Sequence, residues 1–233
     1  MNPVASLALA TAAFVGLHFL MSHPLRRAMV ERLGERAFAG VYSLIVAIAF
    51  VGMIFAWRSV DHSYPLWIAP LWWWPVASGI MLFALILLVG SFIKNPAFPH
   101  PGAEPQAARS ATGVFAITRH PMNWSFILWA LVHFSLWGSP RNLIVAGGIF
   151  ILALFGSIGQ DRKKGAIYRE TWHGWEARTS FLPFGGLLSG RIPWRAAWPG
   201  WIPLLGGMLL WLSITWYHAP IASPIGAIGR GIG

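Results

Sequence analysis

The sequence predicts an all-α, polytopic helical membrane bundle of about six transmembrane helices with both termini outside, and three observations predict it. Hydrophobic residues make up 56% of the 233 and charged residues only 10%, far from the balance of a soluble domain. The apolar residues come in runs of about 16 to 21, close to the ~20 needed to cross a hydrocarbon core of ~30 Å. The 17 lysines and arginines gather in alternate connecting segments, the pattern that orients helices across a bilayer.

The six runs cover residues 3–21, 37–57, 75–93, 122–137, 143–158 and 202–217. Lipid offers backbone N–H and C=O groups no partner, so each run is expected to be a helix; the alternation of a membrane barrel is missing. The first run could pass for a signal peptide, but it lacks a basic leader and continues beyond the small residues ALATAA, so it reads as a retained first span. Gly138-Ser139-Pro140-Arg141-Asn142 joins the fourth and fifth runs, a turn short enough to make them an antiparallel hairpin. Residues 95–110, NPAFPHPGAEPQAARS, read as an inner loop. The stretch DRKKGAIYRETWHGWEAR, which interleaves cations with aromatics, suits a helix lying along the inner surface, and FLPFGGLLSGR is expected to dip back toward the bilayer. Residues 1–233 read as a single membrane domain without internal repeats.

The formal charge of +10 encodes topology rather than nucleic-acid binding. Arg26, Arg27, Arg32, Arg36, Lys94, Arg109, Arg119, Arg162, Lys163, Lys164, Arg169, Arg178, Arg191 and Arg195 fall on one side, against Arg58, Arg141 and Arg230 on the other. The richer side is cytoplasmic, which orients a multi-pass protein with lipid as its first partner; a bacterial inner membrane is the expected location, and no RNA- or DNA-binding motif accompanies the charge. Trp67, Trp72, Trp73 and Trp74 are expected at the outer interface; Trp172, Trp175, Trp194, Trp198 and Trp201 at the inner one.

Candidate chemistry lies with histidine. The absence of cysteine excludes disulfides, thiolate ligands and cysteine nucleophiles. The carboxylates Glu31, Glu35, Asp61, Glu104, Asp161, Glu170 and Glu176 all read as loop residues, which disfavours a paired-carboxylate hydrolase. Of the histidines at positions 18, 23, 62, 100, 120, 133, 173 and 218, only His18 and His133 fall within apolar spans. An ionisable group at that depth marks a functional site, and neutral imidazole is a common metal and haem ligand; the alternative is a neutral histidine bonded to a neighbouring helix. At ~1.5 Å per residue the two α-carbons differ in depth by roughly 10 Å. Side chains tilt toward their own helix N-terminus, so the two imidazoles converge. Arg119 and His120 precede Pro121 at a helix start, which reads either as a plain basic entrance or as an anion or cofactor contact.

Three blocks carry a resemblance: HFLMSHPLRRAMVERLGERAFAGVYSL, ITRHPMNWSFILWALVHFSLWG and DRKKGAIYRETWHGWEARTSFLPF. In this order they resemble the NnrU family of membrane proteins, which includes the plant and cyanobacterial 15-cis-zeta-carotene isomerases. The resemblance implies a haem b held by two histidines, matched here by His18 and by His133 at the end of WALVH, with the iron's redox state controlling rotation about a double bond of a hydrophobic polyene. Arg26, Arg119 and His120 then become candidates for contacts with the haem propionates. A cysteine three residues before the second ligand in the plant enzyme is Ala130 here, so the same ligand switch is not expected. Other members of the family are linked to nitrite and nitric oxide reduction, which keeps open a non-catalytic accessory role in denitrification. RHP followed by a hairpin, Tyr168 and TSFLPF is also similar to isoprenylcysteine and phospholipid methyltransferases that bind S-adenosylmethionine, but Gln160-Asp161 stands where those proteins carry a Glu-Glu pair.

Overall fold

Every apolar run folds as a helix, because a helix satisfies its own backbone. The computed structural model describes residues 2–61, 65–98 and 103–218. The long helices are α1 (Pro3–Ser22), α2 (Arg26–Ser59), α3 (Trp73–Ser91), α6 (Pro121–Leu136), α7 (Pro140–Arg178) and α9 (Trp201–His218). The short ones are α4 (Ala103–Ala107), α5 (Val114–Ile117), α8 (Gly185–Leu188) and a 3-10 turn at Trp194–Ala197. Among the described residues there is no strand beyond one isolated antiparallel bridge, Ile68 with Trp137. Helices α1, α2, α3 and α7 are long and apolar enough to cross a membrane. His62, His100 and Arg230 lie outside the described residues.

Several elements run further than composition suggests. The basic segment after the first run is helical from Arg26, and α2 continues through a break at Gly34, whose φ of 77° glycine adopts without steric cost. Helix α7 extends 39 residues, from the turn at Pro140 through the whole basic stretch to Arg178, with a break at Arg169 (φ 39°). Glu31, Glu35, Asp161, Glu170 and Glu176 therefore sit on helices, not in loops, as does Glu104 on α4. The proline-rich segment contains α4, and Asn95 accepts the Ala97 N–H at 2.9 Å, a side-chain turn that starts the segment.

The chain groups into two compact units. The first comprises Met1–Ala69 and His133–Gly156. Asn2 caps α1 by accepting the Val4 N–H at 2.9 Å, with Pro3 at the first helical position. Leu7, Phe14, Met53 and Val60 form the buried core, with Ile144, Val145 and Ile149 of α7 packed against it. Trp67 donates its indole N–H to the Phe134 carbonyl (2.9 Å), and its backbone pairs with Gly138 (3.0 Å). The turn needs glycine there, because a Cβ on Gly138 would meet the Trp67 ring at 2.4 Å.

Helices α1 and α7 approach closely at Gly148, where an added Cβ would come within 2.3 Å of Thr11 Cγ2. Thr11 is β-branched and stiff on its helix, so Gly148→Ala is expected to cost about 1–3 kcal/mol by overpacking. Thr11→Ser in the same chain should recover most of that loss in an unfolding titration; no recovery would show that Gly148 matters for another reason.

The second unit comprises Pro70–Val132 and Ser157–Gly233. Here α3 and α9 pack through Gly207, whose Cβ would come within 2.9 Å of the Ile86 backbone, and Trp211 donates to the Ser78 hydroxyl at 3.0 Å. The largest buried side chain is Trp172, which with Trp175, Phe115, Ile117 and Leu187 forms the core. Trp172 and Trp175 are thus interior residues and not interface anchors, whereas Trp194, Trp198 and Trp201 are exposed. On α7, Lys164, Trp172 and Trp175 are buried and Tyr168 is half-buried, whereas Arg162, Arg169 and Arg178 are exposed.

Candidate functional site

The densest polar cluster lies in the second unit and is built by two sequence-distant motifs that zip together. Thr118 leaves α5 in an extended conformation and donates its hydroxyl to the Phe181 carbonyl at 2.8 Å. The Arg119 N–H donates to the Ser180 carbonyl (2.8 Å) and the Phe184 N–H to that of Ile117 (2.8 Å), while the Trp124 indole also donates to Phe181 (2.8 Å). The RHP entrance and the TSFLPF segment therefore form one structural element, and Pro121 then starts α6.

That anchoring aims Arg119 and His120 at Asp161 on α7. Arg119 donates Nε and Nη2 to Asp161 Oδ2 at 2.9 and 2.6 Å, and His120 Nε2 lies 2.9 Å from Oδ1. Arg119 and Asp161 are each 13% exposed and the His120 side chain is fully buried. Glu176 stands 3.8 Å from Arg119, whose guanidinium also lies over the Phe181 ring. Farther along the same helix pair, Asn123 donates to the Ser157 hydroxyl at 2.9 Å.

Burial opposes ionisation of Asp161, but the hydrogen bonds from His120 and Arg119, with the charge of the Arg119 guanidinium beside it, outweigh it and hold the carboxyl below the usual aspartate range. An ionised carboxylate only accepts, so His120 Nε2 carries a hydrogen and donates it. Asn95, Ala97, Phe98, Met122, Asn123 and Gln160 complete a narrow cleft beside Arg119 and His120.

The two histidines of the apolar runs, His18 and His133, belong to the first unit. His18 Nδ1 lies 2.8 Å from the Phe14 carbonyl, one turn back on α1. Nδ1 is therefore the protonated nitrogen, and Nε2 carries the lone pair that a metal needs. Its ring stands edge-on to Phe14 (4.6 Å) and to Tyr42 of α2 (5.9 Å). His133 lies in the last turn of α6, and its carbonyl accepts the Asn142 amide at 2.7 Å across the hairpin turn. The neighbouring Phe134 reaches Gly147, and Gly148 meets Thr11; from Thr11 to His18 is seven residues, roughly 10 Å of helix rise. Arg26 bonds both carboxylate oxygens of Glu35 at 2.8 and 3.0 Å and lies over Phe38.

Sequence reasoning selected Arg119 and His120 and missed what they bind. The signal was present in Gln160-Asp161, noted only for lacking a second glutamate. Among the described residues no group of three or more His, Cys, Asp or Glu side chains is arranged to hold a metal ion. A haem would need two imidazoles, each with a ring nitrogen available; at His18 the Nδ1–H bond to the Phe14 carbonyl leaves Nε2 for that role.

Apolar helices long enough to span a bilayer and a polar cluster at the entrance of α6 define a helical membrane protein. The chain belongs to the NnrU protein family, whose pattern matches residues 6–224. It is similar to the chloroplastic 15-cis-zeta-carotene isomerase of Zea mays, 35% identical over 81 residues, and to that of Arabidopsis thaliana, 36% identical over 81 residues. Each alignment covers 34% of this chain and 22% of the relative, so the chain matches about a fifth of the length of these curated relatives. No solved structure matches it.

Proposed function

We propose that this NnrU protein is a single multi-pass domain of a bacterial inner membrane, with about six spans and both termini outside. In this reading it holds haem b between His18 and His133 and acts as a redox-gated cis–trans isomerase of a carotenoid-like polyene. The observation that carries the reading is the His18 tautomer: its Nδ1–H is tied to the Phe14 carbonyl, leaving Nε2 as a ligand atom. The partial similarity to two 15-cis-zeta-carotene isomerases supplies the reaction class.

When bound, the haem would supply an iron centre whose oxidation state changes its affinity for a double bond. The protein's own residues provide the rest. The Phe14 carbonyl orients the His18 ring and raises its basicity as a ligand, and Tyr42 and Phe14 close the ring's sides with apolar edges. Asn142 fixes the end of α6 that carries His133. Lipid and apolar side chains exclude water from the path of a long polyene.

The test is to reconstitute the purified protein with haem and present it with a 15-cis polyene in ferrous and ferric forms, following the product by chromatography. Conversion in one oxidation state and not the other is the expected result. A haem-loaded protein that converts no 15-cis polyene in either state would overturn the isomerase while leaving the haem site standing.

A further inference from the structure

The segment from Phe181 to Trp201 is firmly anchored yet presents large apolar side chains outward. Leu187 and Ile192 are buried in the core of the second unit. The Ile192 N–H donates to the Gly186 carbonyl (2.9 Å), and the Gly113 N–H to that of Ala196 (2.7 Å). Phe184 stacks with Phe83 of α3 (5.5 Å) and with Trp194 (6.4 Å). On that frame Leu188 is 75% exposed, Trp194 60% and Trp198 54%. Holding such apolar surface in water is costly, whereas an indole, apolar with one polar N–H, suits the headgroup layer of a bilayer.

The position in the fold agrees. Helix α9 starts at Trp201 and runs antiparallel to α3: Gly206 faces Val89, Gly207 faces Ile86 and Trp211 reaches Ser78. The segment therefore leads into α9 at the Ser91 end of α3, a helix long and apolar enough to cross a membrane. The exposed Lys94 follows α3 at that same end.

The charge of the segment has one sign. Arg178, Arg191 and Arg195 are exposed, and no aspartate or glutamate follows Glu176 in the sequence. Glu176 itself lies 3.1 Å from His173 and 3.8 Å from Arg119. An open groove of about 760 Å³ runs past Ser180, Leu182, Gly185, Ser189 and Arg191, with no carboxylate in its lining; that volume is in the range of small-molecule sites. Among the described residues the Arg191 guanidinium makes one hydrogen bond, from Nη1 to the Ala177 carbonyl at 3.1 Å. The bond positions the side chain and leaves Nε and Nη2 for the oxygens of a phosphate, which the planar fork of arginine matches.

We propose that the groove beside Arg191, flanked by Arg195 and the indoles of Trp194 and Trp198, binds the headgroup of an anionic phospholipid. The Arg191 guanidinium takes the phosphate, Arg195 adds attraction for the net negative charge, and the exposed Leu188 and indoles lie against the lipid's apolar part. The site stands independently of the haem reading.

The experiment is native mass spectrometry of the full chain in mild detergent, titrated with an equimolar mixture of phosphatidylglycerol and phosphatidylcholine carrying the same acyl chains. Preferential retention of phosphatidylglycerol is expected, declining as the ammonium acetate concentration rises. Arg191→Gln should weaken phosphatidylglycerol about fivefold and leave phosphatidylcholine unchanged. Arg195→Gln should weaken it by a smaller factor, which keeps the proposal testable if Arg191→Gln fails to fold. Arg27→Gln removes a cation of the first unit that is 90% exposed and paired with Glu31, and it should leave the preference intact. Equal retention of the two lipids by the wild type, or an undiminished preference in folded Arg191→Gln, would overturn the proposal. So would a loss in Arg27→Gln as large as that in Arg191→Gln, because the preference would then follow net charge and not this groove.

Discussion

Asp161→Ala should be the most destabilising single substitution in the second unit. It removes the acceptor of three hydrogen bonds at once and leaves the Arg119 guanidinium and the His120 ring side by side without their shared counter-charge. Breaking a buried ion pair from one side costs about 3–5 kcal/mol, and with both partners only 13% exposed, solvent screens little of it. Asp161→Asn keeps an acceptor of nearly the same shape and should cost less. The paired change Arg119→Met with Asp161→Leu should recover much of the loss, because no unpaired charge remains. Unfolding titrations of the detergent-solubilised variants measure all three, and equal stability of Asp161→Ala and the wild type would remove the cluster from any structural account.

The same carboxylate sets a pH dependence. Its folded-state ionisation lies below the ordinary aspartate range, so the stability it contributes is fully present above that range and is lost as pH falls through and below it. The advantage of the wild type over Asp161→Asn should therefore be constant at neutral pH and disappear in strong acid.

His18→Ala should abolish the b-type reduced-minus-oxidised spectrum of a haem-loaded preparation without unfolding the protein. The His18 ring bonds only to a carbonyl of its own helix, and alanine is the best helix former, so little structure depends on the side chain. Loss of a partner behind a metal ligand already costs 10–100-fold in affinity, and loss of the ligand itself should cost at least that. His133→Ala should give the same spectroscopic result, added imidazole should partly restore the bands in His18→Ala, and Tyr42→Phe should leave them in place. Intact bands in both histidine variants would end the bis-histidine reading while leaving family membership untouched.

The sequence by itself determined the helical membrane character. A bilayer imposes a length and an apolar composition on each span, and both are local properties, so the six apolar runs could be marked as helices from hydropathy, four of them long and apolar enough to cross a membrane, and the short turn at 138–142 from its glycine and proline. The RHP entrance was legible for the same reason, since Pro121 punctuates a helix start wherever it occurs. The NnrU blocks were legible as a pattern along the chain.

Only the tertiary structure decided what the polar residues do. Asp161 is 42 residues from Arg119 and 41 from His120, and nothing in the spacing of one chain announces such a meeting. Reading carboxylates as loop residues fails because charge density does not end a helix: α7 runs on through the basic stretch, across a break at Arg169, with Lys164 buried and Arg162, Arg169 and Arg178 exposed. The same helix hid Trp172 and Trp175: in a membrane protein an aromatic residue near the interface and one in the interior look alike in sequence, because lipid and core are equally apolar. Hydropathy records where a residue is compatible, and packing records which neighbour it has; the Asp161 cluster, the close approach at Gly148 and the pairing of the RHP and TSFLPF segments all belong to the second kind of information.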